Sequence, residues 1–174
     1  MDAFYAMETK EYIVIRHAIP HDLPQVANIY NSYVLAGCTT MDTELKDADY
    51  YQSVLDGFSD REALMVMVDK ELVLGWGIIK RYSDRLGYQL ACETAVYLCE
   101  KHISKGYGTQ IKKHLIELCR HFGYHHLVAR IFAENTRSIE YNKKLGYEIV
   151  GVQREIGFVR DQRKDIVIMQ LILN

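Results

Sequence analysis

The chain has 174 residues, of which 49% are hydrophobic, and a formal net charge of −2. This length and composition are sufficient for one domain with a full hydrophobic core. Because a nearly neutral chain has no bulk attraction to nucleic acid or to an anionic membrane, we expect a small molecule or a protein as its partner.

From the N-terminal segment we expect no targeting signal. The string MDAFYAMETKEY lacks a basic segment followed by an apolar run, and no run of about 18 apolar residues occurs in the chain. The four cysteines form no C-x-x-C pair, which favours reduced thiols over a structural disulfide. We therefore expect a cytoplasmic protein with one domain over residues 1–174, in which residues 1–11 form a loose tail.

Hydrophobic periodicity divides the chain into seven strands and four helices. In chain order these are a strand at 12–18, helices at 20–37 and 47–58, strands at 63–69, 72–80 and 88–98, a helix at 108–122, a strand at 126–132, a helix at 135–147, and strands at 148–158 and 165–173. Asp22 is the expected cap of the first helix. This order predicts an α/β fold in which a mixed, mostly antiparallel seven-stranded sheet carries helices on both faces.

The strand predicted at residues 88–98 contains one carboxylate, Glu93, among apolar neighbours such as Cys92 and Ala95. A carboxylate in such surroundings loses hydration and becomes a better base. A structural glutamate that pairs with a cation, for example Arg130, has the same pattern. Both interpretations of Glu93 stay open at this point.

Two glycines, Gly106 and Gly108, stand in front of the third helix. A P-loop requires G-x-x-x-x-G-K-[ST], which is absent, and a dinucleotide fingerprint requires a third glycine where Ile111 stands. What remains is a strand, a short loop and a helix whose first N–H groups are free to hold an anion. A pyrophosphate site and an ordinary turn that needs positive φ both fit this pattern.

Three strings, ETAVYL, ISKGYG and NTRSIEYNKKLGYE, follow one another in this order. Together they resemble the GNAT superfamily of acetyl-CoA-dependent N-acetyltransferases over roughly residues 12–173, and most of all its phosphinothricin acetyltransferase branch. The superfamily loop reads [QR]-x-x-G-x-[GA]; here both glycines match and Ile103 replaces the first polar residue, which leaves the backbone N–H groups in place. The resemblance implies the GNAT fold, acetyl-CoA as cosubstrate, a small primary amine such as an amino acid or its analogue as acceptor, and a homodimer.

The resemblance also implies a role for individual residues. Glu93 is the expected base, and the N–H of Leu98 is expected to bond the thioester carbonyl. Tyr141 matches the acid that protonates the leaving thiolate, although it also fits a core aromatic, and Asn135 fits a helix cap as well as a cofactor contact. The residues expected to bind acetyl-CoA are Val96, Tyr97, Leu98, Ile103, Ser104, Lys105, Gly106, Tyr107, Gly108, Thr109, Asn135 and Ser138.

The acceptor end, marked by Thr40, Met41 and Asp42, departs from the branch. The branch has an aromatic residue and an arginine before a Thr-Glu pair, where this chain has Met41 and Asp42. Its aromatic-His-Asp string corresponds here to Arg-Lys-Asp at residues 163–165. Because a cation that would hold an acidic substrate is missing, an amine of different charge or an amino-acid analogue held by other groups fits better than phosphinothricin.

Four other interpretations are weighed against this one. The string HFGYHH is interrupted by Gly123 and lacks acidic or thiol partners, so we expect no metal. A covalent acyl-enzyme on Cys92 or Cys99 would need an adjacent base, and only Glu93 is near in sequence. A non-catalytic acyl-CoA sensor and a protein N-terminal acetyltransferase remain as alternatives, and the presence of both Glu93 and Tyr141 favours turnover.

Overall fold

The computed structural model describes residues 13–174, so the tail predicted at residues 1–11 lies outside the described residues. Seven strands and four helices follow one another in the predicted order. The strands are β1 (Ile13–His17), β2 (Ala63–Asp69), β3 (Leu72–Arg81), β4 (Ala91–Leu98), β5 (His126–Phe132), β6 (Glu148–Val159) and β7 (Gln162–Ile172). The helices are α1 (Leu23–Ala36), α2 (Ala48–Asp56), α3 (Tyr107–His121) and α4 (Thr136–Lys144).

All seven strands form one sheet in the order β1-β2-β3-β4-β5-β7-β6. Every neighbouring pair is antiparallel except β4 and β5, which are parallel because α3 connects them as a crossover. The predicted mixed, mostly antiparallel sheet is therefore confirmed. The pairing of β4 with β5 ends after three residue pairs, the last of which is Glu93 with Val128, and the strands then part.

Helices cover both faces of the sheet, as predicted. In β2, odd-numbered residues such as Met65 and Met67 belong to the core that includes α3, and even-numbered residues such as Val66 belong to the core under α1 and α2. Burial on both sides explains why β2 has a continuous apolar sequence and not an alternating one. None of the helices between residues 13 and 174 is long and apolar enough to cross a membrane.

Three local predictions differ from the structure. The strand expected from residue 88 begins at Ala91, because Leu86–Tyr88 form a turn of 3-10 helix. The last strand begins at Gln162 and not at residue 165, because two residues with positive φ close the hairpin before it. Asp22 precedes α1 but makes no cap hydrogen bond; its carboxylate pairs with Arg16 at 2.6 Å.

Candidate active site

The gap between β4 and β5 is the feature around which the site is built. The N–H of Cys99 donates to the carbonyl of Leu74 at 2.9 Å, so the odd-numbered residues of this segment bond to β3. Because backbone groups alternate between the two sides of a strand, the even-numbered residues from 94 to 98 present their N–H and C=O groups to the gap. A ligand in the gap can therefore bond to β4 as a neighbouring strand would.

A groove of about 440 Å³ opens beside this gap, on the face that carries α3 and α4. It brings together ten of the predicted site residues: Val96, Leu98, Ile103, Ser104, Gly106, Gly108, Thr109, Asn135, Ser138 and Tyr141. Tyr33, Thr39 and Arg137 complete its lining, and none of these three was predicted from the sequence.

The loop in front of α3 forms a row of backbone donors. Within the described chain, the N–H groups of residues 104–109 donate to no protein acceptor. Ser104 and Gly106 have φ of 71° and 82°, and left-handed residues of this kind turn adjacent N–H groups into a concave anion site. A Cβ at Gly106 would meet no atom within 4 Å, so the backbone angle and not the space requires glycine. These residues fit the diphosphate of acetyl-CoA.

Four residues of the α4 segment line the groove next to this loop: Asn135, Arg137, Ser138 and Tyr141. The Asn135 side chain accepts a hydrogen bond from the N–H of Ser138 at 3.1 Å, so Asn135 is the cap of α4 and also faces the groove. The Tyr141 hydroxyl donates to the carbonyl of Gly108 at 2.6 Å. Because burial raises the pKa of Tyr141, its hydroxyl keeps a proton at neutral pH.

Tyr33 occupies the end of the gap at Leu98. Its hydroxyl oxygen accepts a hydrogen bond from the Leu98 N–H at 3.2 Å and donates to the Leu98 carbonyl at 2.8 Å. The backbone donor predicted to bond a thioester therefore already has an internal acceptor. In the sequence, Tyr33 fits the apolar face of the helix predicted at residues 20–37, and no local signal there predicts a contact across 65 residues.

A larger cleft of about 1150 Å³ lies on the opposite face of the sheet. Its lining includes Glu93 and Tyr97 of β4, Val128 and Arg130 of β5, and Thr40 and Met41 of the loop after α1. Tyr97, predicted to bind acetyl-CoA, thus lines this cleft and not the groove. Thr39 borders both spaces, so the groove and the cleft meet beside the gap.

Glu93 lies in this cleft with 31% of its side chain exposed, and its Oε2 is 3.3 Å from Nη1 of Arg130. The carboxylate is partly buried and not fully enclosed, because its buried sequence neighbours Cys92 and Thr94 point to the other face of the sheet. The carboxylate instead faces open space and a guanidinium group. Both interpretations from the sequence, a base and a partner of Arg130, are compatible with this position.

The side chains of the other predicted residues do not line the groove or the cleft. Asp42 accepts a hydrogen bond from the Tyr30 hydroxyl and lines a third pocket, which shares Glu93 and Tyr97 with the cleft. The Lys105 ammonium is 3.4 Å from a ring nitrogen of His102, and Tyr107 packs against the core.

One rim of the cleft is formed by a close approach between the α1–α2 loop and β6. A Cβ added at Gly157 would overlap the end of the Met41 side chain, which would then have to move. The loop predicted to mark the acceptor end therefore lies directly against the edge strand of the sheet.

The cysteines and histidines do not form a second centre. All four cysteines are free, and Cys92 lies 3.6 Å from Cys119, sulfur to sulfur, in the core. Contact with Cys119 and burial raise the pKa of Cys92, which disfavours a covalent acyl-enzyme there. Among residues 13–174, no group of three or more His, Cys, Asp or Glu side chains is placed to hold a metal ion.

Comparison with known families supports the predicted resemblance to the GNAT acetyltransferases. Residues 15–168 match the family described as "Acetyltransferase (GNAT) domain". The chain belongs to this family and is an acetyltransferase.

Individual relatives cover nearly the whole chain. The L-methionine sulfoximine/L-methionine sulfone acetyltransferase of Salmonella typhimurium is 28% identical over 167 residues, which are 93% of this chain and 95% of that protein. Phosphinothricin N-acetyltransferase of Streptomyces viridochromogenes is 26% identical over 146 residues, 84% of this chain and 80% of that protein. The predicted likeness to the phosphinothricin acetyltransferase branch is confirmed.

Solved structures of acetyltransferases also match the fold of nearly the whole chain. The ribosomal-protein-alanine N-acetyltransferase of Brucella melitensis superposes with a TM-score of 0.88 at 28% identity, covering 92% of this chain and 99% of that one. The acetyltransferase yncA of Salmonella typhimurium, whose structure contains acetyl-CoA, gives a TM-score of 0.84 at 26% identity, covering 93% and 94%.

Proposed function

We propose that this enzyme transfers the acetyl group of acetyl-CoA directly to the primary amine of an amino acid or an amino-acid analogue, with Glu93 as the base. The observation that carries the proposal is the position of Glu93 and Leu98 on one strand, β4, where it parts from β5. The groove approaches the gap from one face of the sheet and the cleft approaches it from the other. The activities printed for the sequence relatives support the class of acceptor.

Acetyl-CoA is expected to occupy the groove. The N–H groups of residues 104–109 bind its diphosphate, and the open edge of β4 together with Asn135 binds its pantetheine arm. When bound, it supplies an acetyl thioester, whose carbonyl carbon is the electrophile.

The acceptor is expected to occupy the cleft. Glu93 takes a proton from the acceptor ammonium, directly or through a water molecule, and so leaves a nucleophilic amine. The Leu98 N–H exchanges the Tyr33 hydroxyl for the carbonyl oxygen of the acetyl group. As the C–N bond forms and the C–S bond breaks, Tyr141 donates its proton to the departing thiolate, and the acetylated nitrogen loses a second proton to solvent and keeps the third. Glu93 then gives up its proton and Tyr141 regains one by exchange with solvent, which leaves one net proton released.

We also propose that residues 13–174 act as one catalytic domain and that the protein is a cytoplasmic homodimer. Free cysteines fit a reducing compartment. The edge strand β6 exposes Val150, Val152, Ile156 and Phe158, and an exposed apolar edge favours association with another chain. Light scattering should give twice the 20.2 kDa of the chain, and a monomer at micromolar concentration would contradict the dimer.

The activity is tested by mixing the protein with acetyl-CoA and a panel of amines while free thiol is measured. We expect thiol to accumulate with one or more amino acids and not without an acceptor. Binding of acetyl-CoA by calorimetry with no thiol for any amine would indicate a sensor. Peptides that begin with alanine belong in the panel because one structural relative acts on ribosomal-protein alanine, and a preference for them would overturn the small-molecule acceptor.

A further inference from the structure

Arg130 is a cation in the acceptor cleft that the proposed chemistry does not use. It lies on β5 two residues beyond Val128, the register partner of Glu93, at the level where β4 has already moved away. Its side chain is 48% exposed and lines the cleft. The guanidinium group therefore faces the same space as the proposed base.

We propose that Arg130 binds the carboxylate of an α-amino acid acceptor while Glu93 faces the ammonium group of the same molecule, an inference that rests on the proposed function. The distance from Nη1 of Arg130 to Oε2 of Glu93 is 3.3 Å. In an α-amino acid the amine nitrogen and the nearer carboxylate oxygen are also about 3 Å apart, as bond lengths require. The acceptor can thus lie alongside the Glu93–Arg130 pair, with its ammonium group next to Glu93 and its carboxylate next to Arg130.

The geometry of the Glu93–Arg130 ion pair allows a bound amino acid to replace it. A bound amino acid replaces one half-exposed ion pair by two charge-assisted contacts, so neither protein charge is left without a partner. A planar guanidinium group presents two parallel N–H donors to a carboxylate, which adds direction to the attraction. Within the described residues, Glu93 is the one carboxylate in ion-pair contact with Arg130, so the rest of its donors remain available to a ligand.

Tyr82 supports the guanidinium group from the side. The centre of its ring is 5.9 Å from the guanidinium carbon of Arg130, and both residues line the cleft. A cation above an aromatic face is attracted by the ring and keeps its plane open to a second partner. This contact with Tyr82 holds the guanidinium group of Arg130 in one orientation, as a binding site for a carboxylate requires.

Lys80 provides a matched control for the charge of Arg130. It is the register partner of Glu93 on β3 and does not line the cleft; it lines the pocket that contains Asp42 and Tyr50, on the other side of Glu93. Replacing Lys80 or Arg130 by glutamine removes one positive charge near Glu93 in either case. An effect that belongs to carboxylate binding should therefore follow Arg130→Gln and not Lys80→Gln.

The test compares L-amino acids with their carboxamides as acceptors for the wild type, Arg130→Gln, Arg130→Lys and Lys80→Gln. We expect the wild type to prefer the acids. Arg130→Gln should lower kcat/KM for the acids by about 10- to 100-fold, mainly through KM, as expected for loss of a charge-assisted contact. The carboxamides should change little, Arg130→Lys should restore part of the preference, and Lys80→Gln should keep the wild-type ratio.

Two outcomes would overturn the proposal. Equal losses for acids and carboxamides in Arg130→Gln would mean that Arg130 only positions Glu93. A wild type that accepts carboxamides as well as acids would mean that the cleft has no carboxylate site.

A binding measurement separates this proposal from the proposed function. Calorimetric titration of the wild type and Arg130→Gln with the amino-acid panel needs no turnover. Binding of an amino acid that weakens in Arg130→Gln would support the carboxylate site even if no amine is acetylated, and no binding of any amino acid would contradict it.

Discussion

The groove and the cleft, which meet at the β4–β5 gap, are built from different kinds of group. The groove offers mainly backbone donors, namely the N–H groups of residues 104–109 and the open edge of β4. The cleft is defined by side chains: Arg130 forms an ion pair with Glu93 and also lies over the ring of Tyr82. Backbone donors survive many substitutions, whereas a side-chain receptor changes with each one.

This difference explains where the sequence agrees with its branch and where it departs. Ile103 replaces the expected polar residue of the loop, yet the loop still presents its N–H groups. In the loop predicted to mark the acceptor end, Met41 and Asp42 stand where the resemblance predicts an aromatic residue and an arginine, and the arginine that lines the cleft is Arg130, on another strand.

Removal of the proposed base is expected to affect turnover most. Glu93→Ala should lower kcat by about 10² or more, because the acceptor ammonium then has no positioned group to take its proton. Calorimetry should find the affinity for acetyl-CoA nearly unchanged, since the groove does not contain Glu93. Glu93→Gln, which keeps the size of the side chain, should behave like Glu93→Ala, and normal turnover in either would remove Glu93 from the mechanism.

The groove is tested by a change of backbone at Gly106. A β-carbon in the left-handed conformation costs about 1–2 kcal/mol per residue, so Gly106→Ala should distort the row of donors. We expect the dissociation constant of acetyl-CoA to rise by about tenfold, the change that a cost of 1.4 kcal/mol gives.

Gly123 offers the matching control at the other end of α3. It also has positive φ, and a Cβ added there would meet no atom within 4 Å. Gly123→Ala should therefore lose similar stability but keep its affinity for acetyl-CoA. Equal affinities in the two variants would mean that the loop donors do not bind the ligand.

The acid role of Tyr141 is expected to be smaller. A thiolate is a fair leaving group because thiols ionise near pH 8.5, so Tyr141→Phe should lower kcat by at most about tenfold. Burial raises the pKa of Tyr141, so the wild type should show no fall of kcat from this group as the pH rises toward 10. An alkaline loss of kcat that disappears in Tyr141→Phe would contradict the expected burial.

Lys112 is buried between α3 and β4, lines neither the groove nor the cleft, and should affect stability more than turnover. Its ammonium donates to the side chain and the carbonyl of Thr94 in the core, and burial lowers its pKa to about 8 from 10.5. Between these values the unfolded chain binds more protons, so this residue makes the free energy of unfolding rise with pH. From pH 8 to 10.5 the wild type should gain roughly 1–2 kcal/mol relative to Lys112→Met in urea denaturation, and parallel curves would contradict this.

The consecutive residues Val96, Tyr97 and Leu98, which the resemblance implies as acetyl-CoA contacts, lie on different faces of the sheet. Val96 and Leu98 line the groove, while Tyr97 lies on the other face with Glu93. Side chains of a strand alternate between faces, so a run of consecutive residues could not all face one ligand. The role expected for Leu98 does not depend on this alternation of side chains, because it belongs to the backbone N–H group.

The sequence by itself determined the order of elements, the glycine loop in front of α3 and the presence of a carboxylate on β4, because periodicity, turn chemistry and local strings are short-range properties. Only the tertiary structure decided which other residues contact these groups. Tyr33 reaches Leu98 across 65 residues, and Arg130 reaches Glu93 because β4 and β5 begin in register and then separate. Such contacts depend on how strands and helices pack, which no local pattern records.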